Sequence, residues 1–397
     1  IFWNTTTQLN MYNPISSIQS KLPQVGTTIF TRMSQLAQQH QAINLAQGFP
    51  EFDCDVKLQE LVHVYMQQHH NQYAPMGGVM RLREMIAEKI WNAYQKKYNP
   101  ETEITITSGA TEALFVAIST VVHPGDEVII FEPAYDSYVP VIELQGGIPI
   151  YITLDPIHKP IDWDLVRSKI TNKTRAVIVN TPHNPTGQIW AKQDLEQLGE
   201  IAEQYNLAVI SDEVYEHIVF DGGIHHSAAE IPTLANRTFL CGSFGKTFHI
   251  TGWKIGYCLA PASWTAEFRK IHQYLVFSVA TPFQFAIADY LSDPAHYLNL
   301  AAFYEKKRDL FCDSIARTGF VFTKSEGSFF QNVSYQHLSD EDDLALAERL
   351  TREVGVASIP VSAFYHAPTA FKVLRFCFAK HDATLIEAAN RLKNINW

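Results

Sequence analysis

The chain is expected to be an α/β protein, with a large domain built on a mostly parallel seven-stranded sheet between helices and a smaller α+β domain after it. Three observations lead there. From about residue 104, short β-branched runs alternate with longer amphipathic ones, the pattern of strands covered by helices. Beyond Pro294 the pattern changes to one long helix-like stretch over residues 299–317, then to shorter strand and helix signals. With 397 residues, 46% hydrophobic and 12% aromatic, the chain has the apolar mass for a large core shared between two domains.

The first residues, Ile1-Phe2-Trp3-Asn4-Thr5-Thr6-Thr7, lack an initiator methionine and the basic-then-apolar order of a signal peptide. Met11 is expected to stand near the natural start, with residues 1–10 an added or upstream extension. Residues 1–47 are turn-rich, show no clear sheet strand, and are expected to pack with the smaller domain. The large domain is placed at 48–294 and the small one at 295–397. Its first strand, 104–107, leads through Ser108-Gly109 into a helix at Thr111-Glu112-Ala113-Leu114-Phe115-Val116-Ala117. Further strands are expected at 127–131, 149–153, 176–180, 207–211, 238–241 and 255–259.

The net charge of -10, from 41 acidic and 31 basic residues without a basic tail, argues against nucleic acid or an anionic membrane as partner. A small-molecule substrate fits better. Five cysteines, an odd set with no CxxC pair, indicate neither a zinc ribbon nor a disulfide framework, and no metal ligands are assigned. A reducing, cytoplasmic setting is expected. No apolar run reaches the roughly 18 residues of a membrane span.

Lys246 is the most informative residue. It lies in Ser243-Phe244-Gly245-Lys246-Thr247, with Lys254 shortly after it, between two strand-like runs. A lysine that bonds a carbonyl must be neutral near neutral pH, which burial and a neighbouring cation both promote. Ser243 and Gly245 leave room for a phosphate to approach backbone and hydroxyl. Asp212 ends an apolar strand, so its carboxylate emerges into a crevice, where it can face a pyridine nitrogen and keep it protonated. Taken alone, Asp212 serves equally as a helix N-cap. Tyr215 can donate to a ring oxygen and Tyr135 can stack on a ring, although packing explains either tyrosine taken singly.

Ser108-Gly109-Ala110-Thr111 joins a strand to a helix, where free N–H groups bind phosphate, but such turns are common in α/β proteins without that ligand. Asn184 precedes a proline that excludes helix, so its amide can point into a site or merely form a turn. Arg375, in Val373-Leu374-Arg375-Phe376-Cys377-Phe378, needs an anionic partner. A substrate α-carboxylate and a structural salt bridge are equal candidates. Three of these elements, Ser108-Gly109-Ala110, Asn184-Pro185 and Asp212, follow strand ends, where open α/β sheets bind ligands.

In this order the pieces resemble the class I pyridoxal phosphate aminotransferases of fold type I, from Lys21 to Trp397. The likeness is nearest to the branch of bacterial methionine aminotransferase and the kynurenine or glutamine transaminases. It rests on Asn44-Leu45-Ala46-Gln47-Gly48-Phe49-Pro50, Asn71-Gln72-Tyr73, Asn180-Thr181-Pro182-His183-Asn184-Pro185, Ser243-Phe244-Gly245-Lys246 and Arg375-Phe376-Cys377-Phe378. The resemblance implies pyridoxal 5'-phosphate as cofactor, bonded to Lys246, which then carries the proton between the substrate α-carbon and the cofactor C4′. It implies Asp212 at the pyridine nitrogen, Asn184 and Tyr215 at the ring oxygen, and Tyr135 on the ring. Gly109, Ala110, Thr111, Ser243 and Lys254 would hold the phosphate, with Tyr73 reaching in from a second subunit of a homodimer. Arg375, Asn184 and the Gly48 backbone would hold the substrate carboxylate.

Many class I enzymes carry arginine where this chain has Lys254. Kynurenine transaminases place an aromatic residue and a histidine before a proline where this chain reads Ser278-Val279-Ala280-Thr281-Pro282. No second arginine is evident for an acidic side chain. The expected reaction therefore moves the α-amino group of a neutral, methionine-like donor, with aromatic amino acids or glutamine as further candidates, to a 2-oxo acid. The alternatives are kynurenine transamination, a cysteine-conjugate β-lyase, and a non-catalytic cofactor-binding regulator. No basic helix-turn-helix segment precedes residue 45 to favour the last.

Overall fold

The structure, a computed structural model, describes residues 19–157, 160–395 and 397. The expectation about Met11 lies outside the described residues. At the centre is a seven-stranded sheet of β2 (Ile104–Thr107), β3 (Glu127–Glu132), β4 (Ile148–Thr153), β5 (Thr174–Asn180), β6 (Ala208–Asp212), β7 (Thr238–Ser243) and β8 (Gly256–Leu259). Their spatial order is β2-β8-β7-β6-β5-β3-β4. The pairs β4·β3, β3·β5, β5·β6 and β6·β7 are parallel, whereas β8 runs antiparallel to both β7 and β2. The reversal has a simple cause. The stretch from Phe244 to Ile255 contains one turn of helix and one 3-10 turn, too little for the crossover that a parallel partner requires.

Alternation along the strands divides their apolar residues between two helical layers. Ile130, Ile178 and Ile210 pack with Ala113, Leu114 and Ala117 of the helix Gly109–Val121. Ile129, Val177 and Val209 pack on the other face against Leu195, Leu198 and Ile201 of the helix Lys192–Gln204. Both faces are dry, which is why these runs read as continuously apolar.

The C-terminal part carries the helix Leu300–Ile315 and an antiparallel sheet of β9 (Phe330–Ser334), β11 (Ile359–Pro360) and β12 (Val373–Cys377), ordered β11-β12-β9. Met33 and Ala37 of the helix Ile29–Gln39 share one core with Val333, Leu374 and Phe376. Sequence reasoning expected no sheet strand in the N-terminal segment. The structure corrects this: β1 (Ile43–Asn44) pairs in parallel with β10 (Val356–Ala357). Two residues are too few to leave an alternation signal. All five cysteines are free and buried. Among the described residues, no helix is long and apolar enough to cross a membrane.

Candidate active site

The carboxyl ends of β2, β5, β6 and β7 open onto a cavity of about 320 Å³ whose far wall comes from β9, β12 and the segment around Gly48. Of the residues singled out from sequence, all but Tyr73 line it. Tyr73 is 80% exposed, outside this cavity, with its ring edge-on to Phe277 at 5.3 Å.

Lys246 sits in the short helix Phe244–Thr247 that ends β7, so the reversal into β8 drives its side chain across the cavity mouth. Its Nζ donates to the Gly48 carbonyl at 2.9 Å and lies 5.7 Å from the Tyr215 ring centroid. Burial, aided by the Arg375 and Lys254 charges, lowers its pKa from 10.5 to about 8. Asp212, the last residue of β6, accepts from the Tyr138 hydroxyl at 2.7 Å. Burial raises its carboxyl to about 6 despite that bond. Tyr138, the first residue of the helix Tyr138–Leu144, was not foreseen; its one signal is a place three residues after Tyr135. Burial likewise pushes the Tyr135 hydroxyl up to about 12.

Asn180, which opens the motif over 180–185 but was given no role of its own, ties two strand ends together. Its amide donates to the Asp212 carbonyl at 2.8 Å and its Oδ1 accepts from the Asn184 N–H at 2.8 Å. Asn184 Oδ1 accepts from Arg375 Nη1 at 2.8 Å, which leaves the amide end of Asn184 for the cavity. Arg375 Nη2 donates to the Ala46 carbonyl at 3.0 Å, while its buried Nε has no partner. The guanidinium lies 4.0 Å from the Phe330 ring centroid, and burial lowers its pKa to about 10. No carboxylate hydrogen-bonds to it among the described residues.

At the opposite end, Lys254 Nζ donates to Thr111 Oγ1 at 3.1 Å, and Ser243 Oγ accepts from the Gly245 N–H at 3.1 Å. The turn between β2 and its helix sits against β8, where a Cβ on Gly256 would fall 2.6 Å from Gly109 C and 2.8 Å from Ala110 N. Gly256→Ala must therefore displace the turn. Overpacking of about 1–3 kcal/mol, carried by the turn, predicts weaker binding of a phosphate-bearing ligand by up to roughly 5- to 150-fold, measured by titration of the apo protein. An unchanged dissociation constant would count against any role of this turn in phosphate binding.

These features fit one ligand. A buried carboxylate that wants a cation, an amine near neutrality, a phosphate-sized cradle of N–H, hydroxyl and ammonium donors, and a buried guanidinium with a bare Nε match pyridoxal phosphate joined to an amino acid.

Residues 40–392 match the model of the family described as aminotransferase class I and II, and the chain belongs to that family. It is a pyridoxal 5'-phosphate-dependent transaminase of fold type I. Methionine aminotransferase of Escherichia coli (strain K12) is 50% identical over 378 residues, 95% of this chain and 98% of its own length. A crystal structure from Escherichia coli, reported to identify a methionine aminotransferase function, superposes with a TM-score of 0.94 at 49% identity, covering 96% of this chain and 100% of that one. Kynurenine–oxoglutarate transaminase of Dictyostelium discoideum is 34% identical over 429 residues, 98% of each chain.

Proposed function

We propose that this transaminase takes the amino group of a neutral, flexible amino acid, methionine foremost, passes it to a 2-oxo acid, and works as a homodimer in a reducing cytoplasm. The observation that carries the donor assignment is the charge of the cavity wall. Among the described residues its cations are Lys246, Lys254 and Arg375, and the remaining wall includes Phe30, Phe49, Val214, Phe330 and the carboxylate of Asp136. With these three cations serving amine chemistry, phosphate and α-carboxylate, an acidic side chain finds no partner, and burying it unpaired is costly. The Escherichia coli methionine aminotransferase, half identical to this chain, supports the same donor.

Bound here, pyridoxal phosphate supplies an aldehyde that accepts the amino group and a ring that withdraws electrons from the α-carbon. Lys246 would supply the neutral amine and act as the base that takes up and gives back the substrate α-proton; its position over the Tyr215 ring and its lowered pKa suit both acts. Asp212, braced by Tyr138 and Asn180, offers the charge that holds the ring nitrogen protonated. Asn184 and Tyr215 would donate to the ring oxygen, and Tyr135 would cover the ring. Gly109, Ala110, Thr111, Ser243 and Lys254 would hold the phosphate. Arg375, with Asn184 and the Gly48 backbone, orients the substrate carboxylate.

The homodimer has support in an apolar surface around Tyr73, where Tyr274 is 88% exposed and Leu275 and Phe277 are also exposed. Tyr73 of the partner would complete the phosphate site. The five free buried cysteines favour the reducing compartment. The shared core of residues near 33–45 with the C-terminal sheet supports the division at 1–47, 48–294 and 295–397.

Adding L-methionine to the holoenzyme without an oxo acid should bleach the visible cofactor band, and a 2-oxo acid should restore it. L-aspartate should bleach it far more slowly at equal concentration. An aspartate response as fast as that of methionine would overturn the donor assignment, and a sedimentation mass of one chain would overturn the dimer.

A further inference from the structure

Beneath the proposed phosphate turn lies a buried acid–base pair that the reaction does not use. Glu112, in the first turn of the helix Gly109–Val121, accepts from the Ser108 N–H through Oε2. Its Oε1 faces His272 Nδ1 at 2.5 Å. His272 Nε2 donates to the Met76 carbonyl at 2.9 Å. The two side chains are 5% and 0% exposed. A carbonyl only accepts, so Nε2 carries a hydrogen, and one further proton lies between Nδ1 and Oε1. The pair is therefore neutral as a unit.

That neutrality matters because of where the pair lies. A helix N-terminus attracts anions, and a bare carboxylate in its first turn competes with any phosphate held there. Glu112 nevertheless serves the turn. By reaching back to the Ser108 N–H it fixes the entry of the chain, as a capping box does, while the next N–H groups keep no intrahelical partner. The helix Ala262–Leu275 that carries His272 is anchored to the same strand by Arg269, which donates to Thr105 Oγ1 at 3.0 Å and to the Ile104 carbonyl at 2.7 Å.

Resting on the reading of this turn as the phosphate site, we propose that Glu112 and His272 are positioning residues for the cofactor phosphate. Glu112 shapes the turn, and His272 cancels the carboxylate charge that would otherwise repel the phosphate. Through Met76, His272 also ties this turn to the segment bearing Tyr73, which under the dimer proposal serves the partner's site.

The test compares dissociation constants of the apo protein for pyridoxal 5'-phosphate and for pyridoxal, which lacks the phosphate. His272→Gln is expected to weaken pyridoxal 5'-phosphate about tenfold and leave pyridoxal within about twofold, the order of a charge effect at a partly buried helix terminus. Adding Glu112→Gln should restore most of the loss, because the second change removes the uncompensated charge. Glu112→Gln alone should bind pyridoxal 5'-phosphate no worse than about twofold. Its carbonyl accepts the Ser108 N–H and its amide donates to a neutral imidazole. This variant carries the test if His272→Gln does not fold. Equal losses for both ligands, no loss in His272→Gln, additive losses in the double variant, or a large loss in Glu112→Gln would each overturn the proposal. If the unaltered protein bound pyridoxal and its phosphate equally well, the phosphate site itself would be misassigned, a failure distinct from that of the pair.

Discussion

Lys246→Ala is expected to abolish the visible band formed with pyridoxal phosphate and to lower turnover by about 10⁴-fold, because under the proposed assignment one amine both bonds the cofactor and moves the proton. The apo variant stays folded, since the change removes an amine whose charge is penalised by burial. The pH dependence is specific. The folded-state pKa is depressed from 10.5 to about 8. Capture of the aldehyde by the apo protein should therefore quicken about tenfold per pH unit up to about 8 and level off above it. The sign for stability is the same. Between about 8 and 10.5 the unfolded chain holds a proton at this lysine that the folded chain does not, so the lysine's destabilising contribution is fully present below about 8 and fades as pH rises through that window. Stopped-flow absorbance across pH 6–10 and a melting series check both trends. A capture rate still rising at pH 10, or normal turnover in the alanine variant, would remove Lys246 from its assigned role.

The sheet was legible because its strands are buried on both faces. Runs such as Val128-Ile129-Ile130-Phe131 and Val177-Ile178-Val179 have no competing helical period, so all seven strands were placed within a few residues. Strand direction was less legible. Nothing in Tyr257-Cys258-Leu259 marks it as antiparallel, and only the shortness of the connection from Ser243 decides it. The β1·β10 pair escaped because each strand has two residues and its partner lies far along the chain.

Residues at strand ends announced themselves, as Asp212 and Ser243 did, because the sheet dictates their address. Residues that act through others did not. Tyr138 braces Asp212 from the first residue of the short helix Tyr138–Leu144, Asn180 joins β5 to β6, and Gly256 is needed only because the turn after β2 rests on β8. The Arg375–Asn184 contact spans 191 residues of sequence, so no local pattern could link them.

Arg375→Ala is expected to lower kcat/KM for amino donor and oxo acid acceptor alike by about 10²–10³, chiefly through KM, since the loss of a buried charged partner costs about 2–5 kcal/mol. Both substrates carry the α-carboxylate, and the guanidinium stays cationic at neutral pH because its pKa falls only to about 10. The side chain is held flat by Phe330 and by donation to Asn184 and Ala46, which aims the bare Nε edge. A planar fork fixed in this way grips a carboxylate at two points, whereas lysine offers a single mobile charge. Arg375→Lys should accordingly recover less than half of the lost free energy. Cofactor affinity should fall much less than kcat/KM, because under the proposed assignment Arg375 meets the substrate carboxylate directly and the cofactor only through Asn184. A primary amine without a carboxylate should react equally slowly with the unaltered protein and both variants. If the alanine variant kept its KM for methionine, or lost activity toward that amine in equal measure, Arg375 would be a packing residue and the carboxylate would have to be held elsewhere.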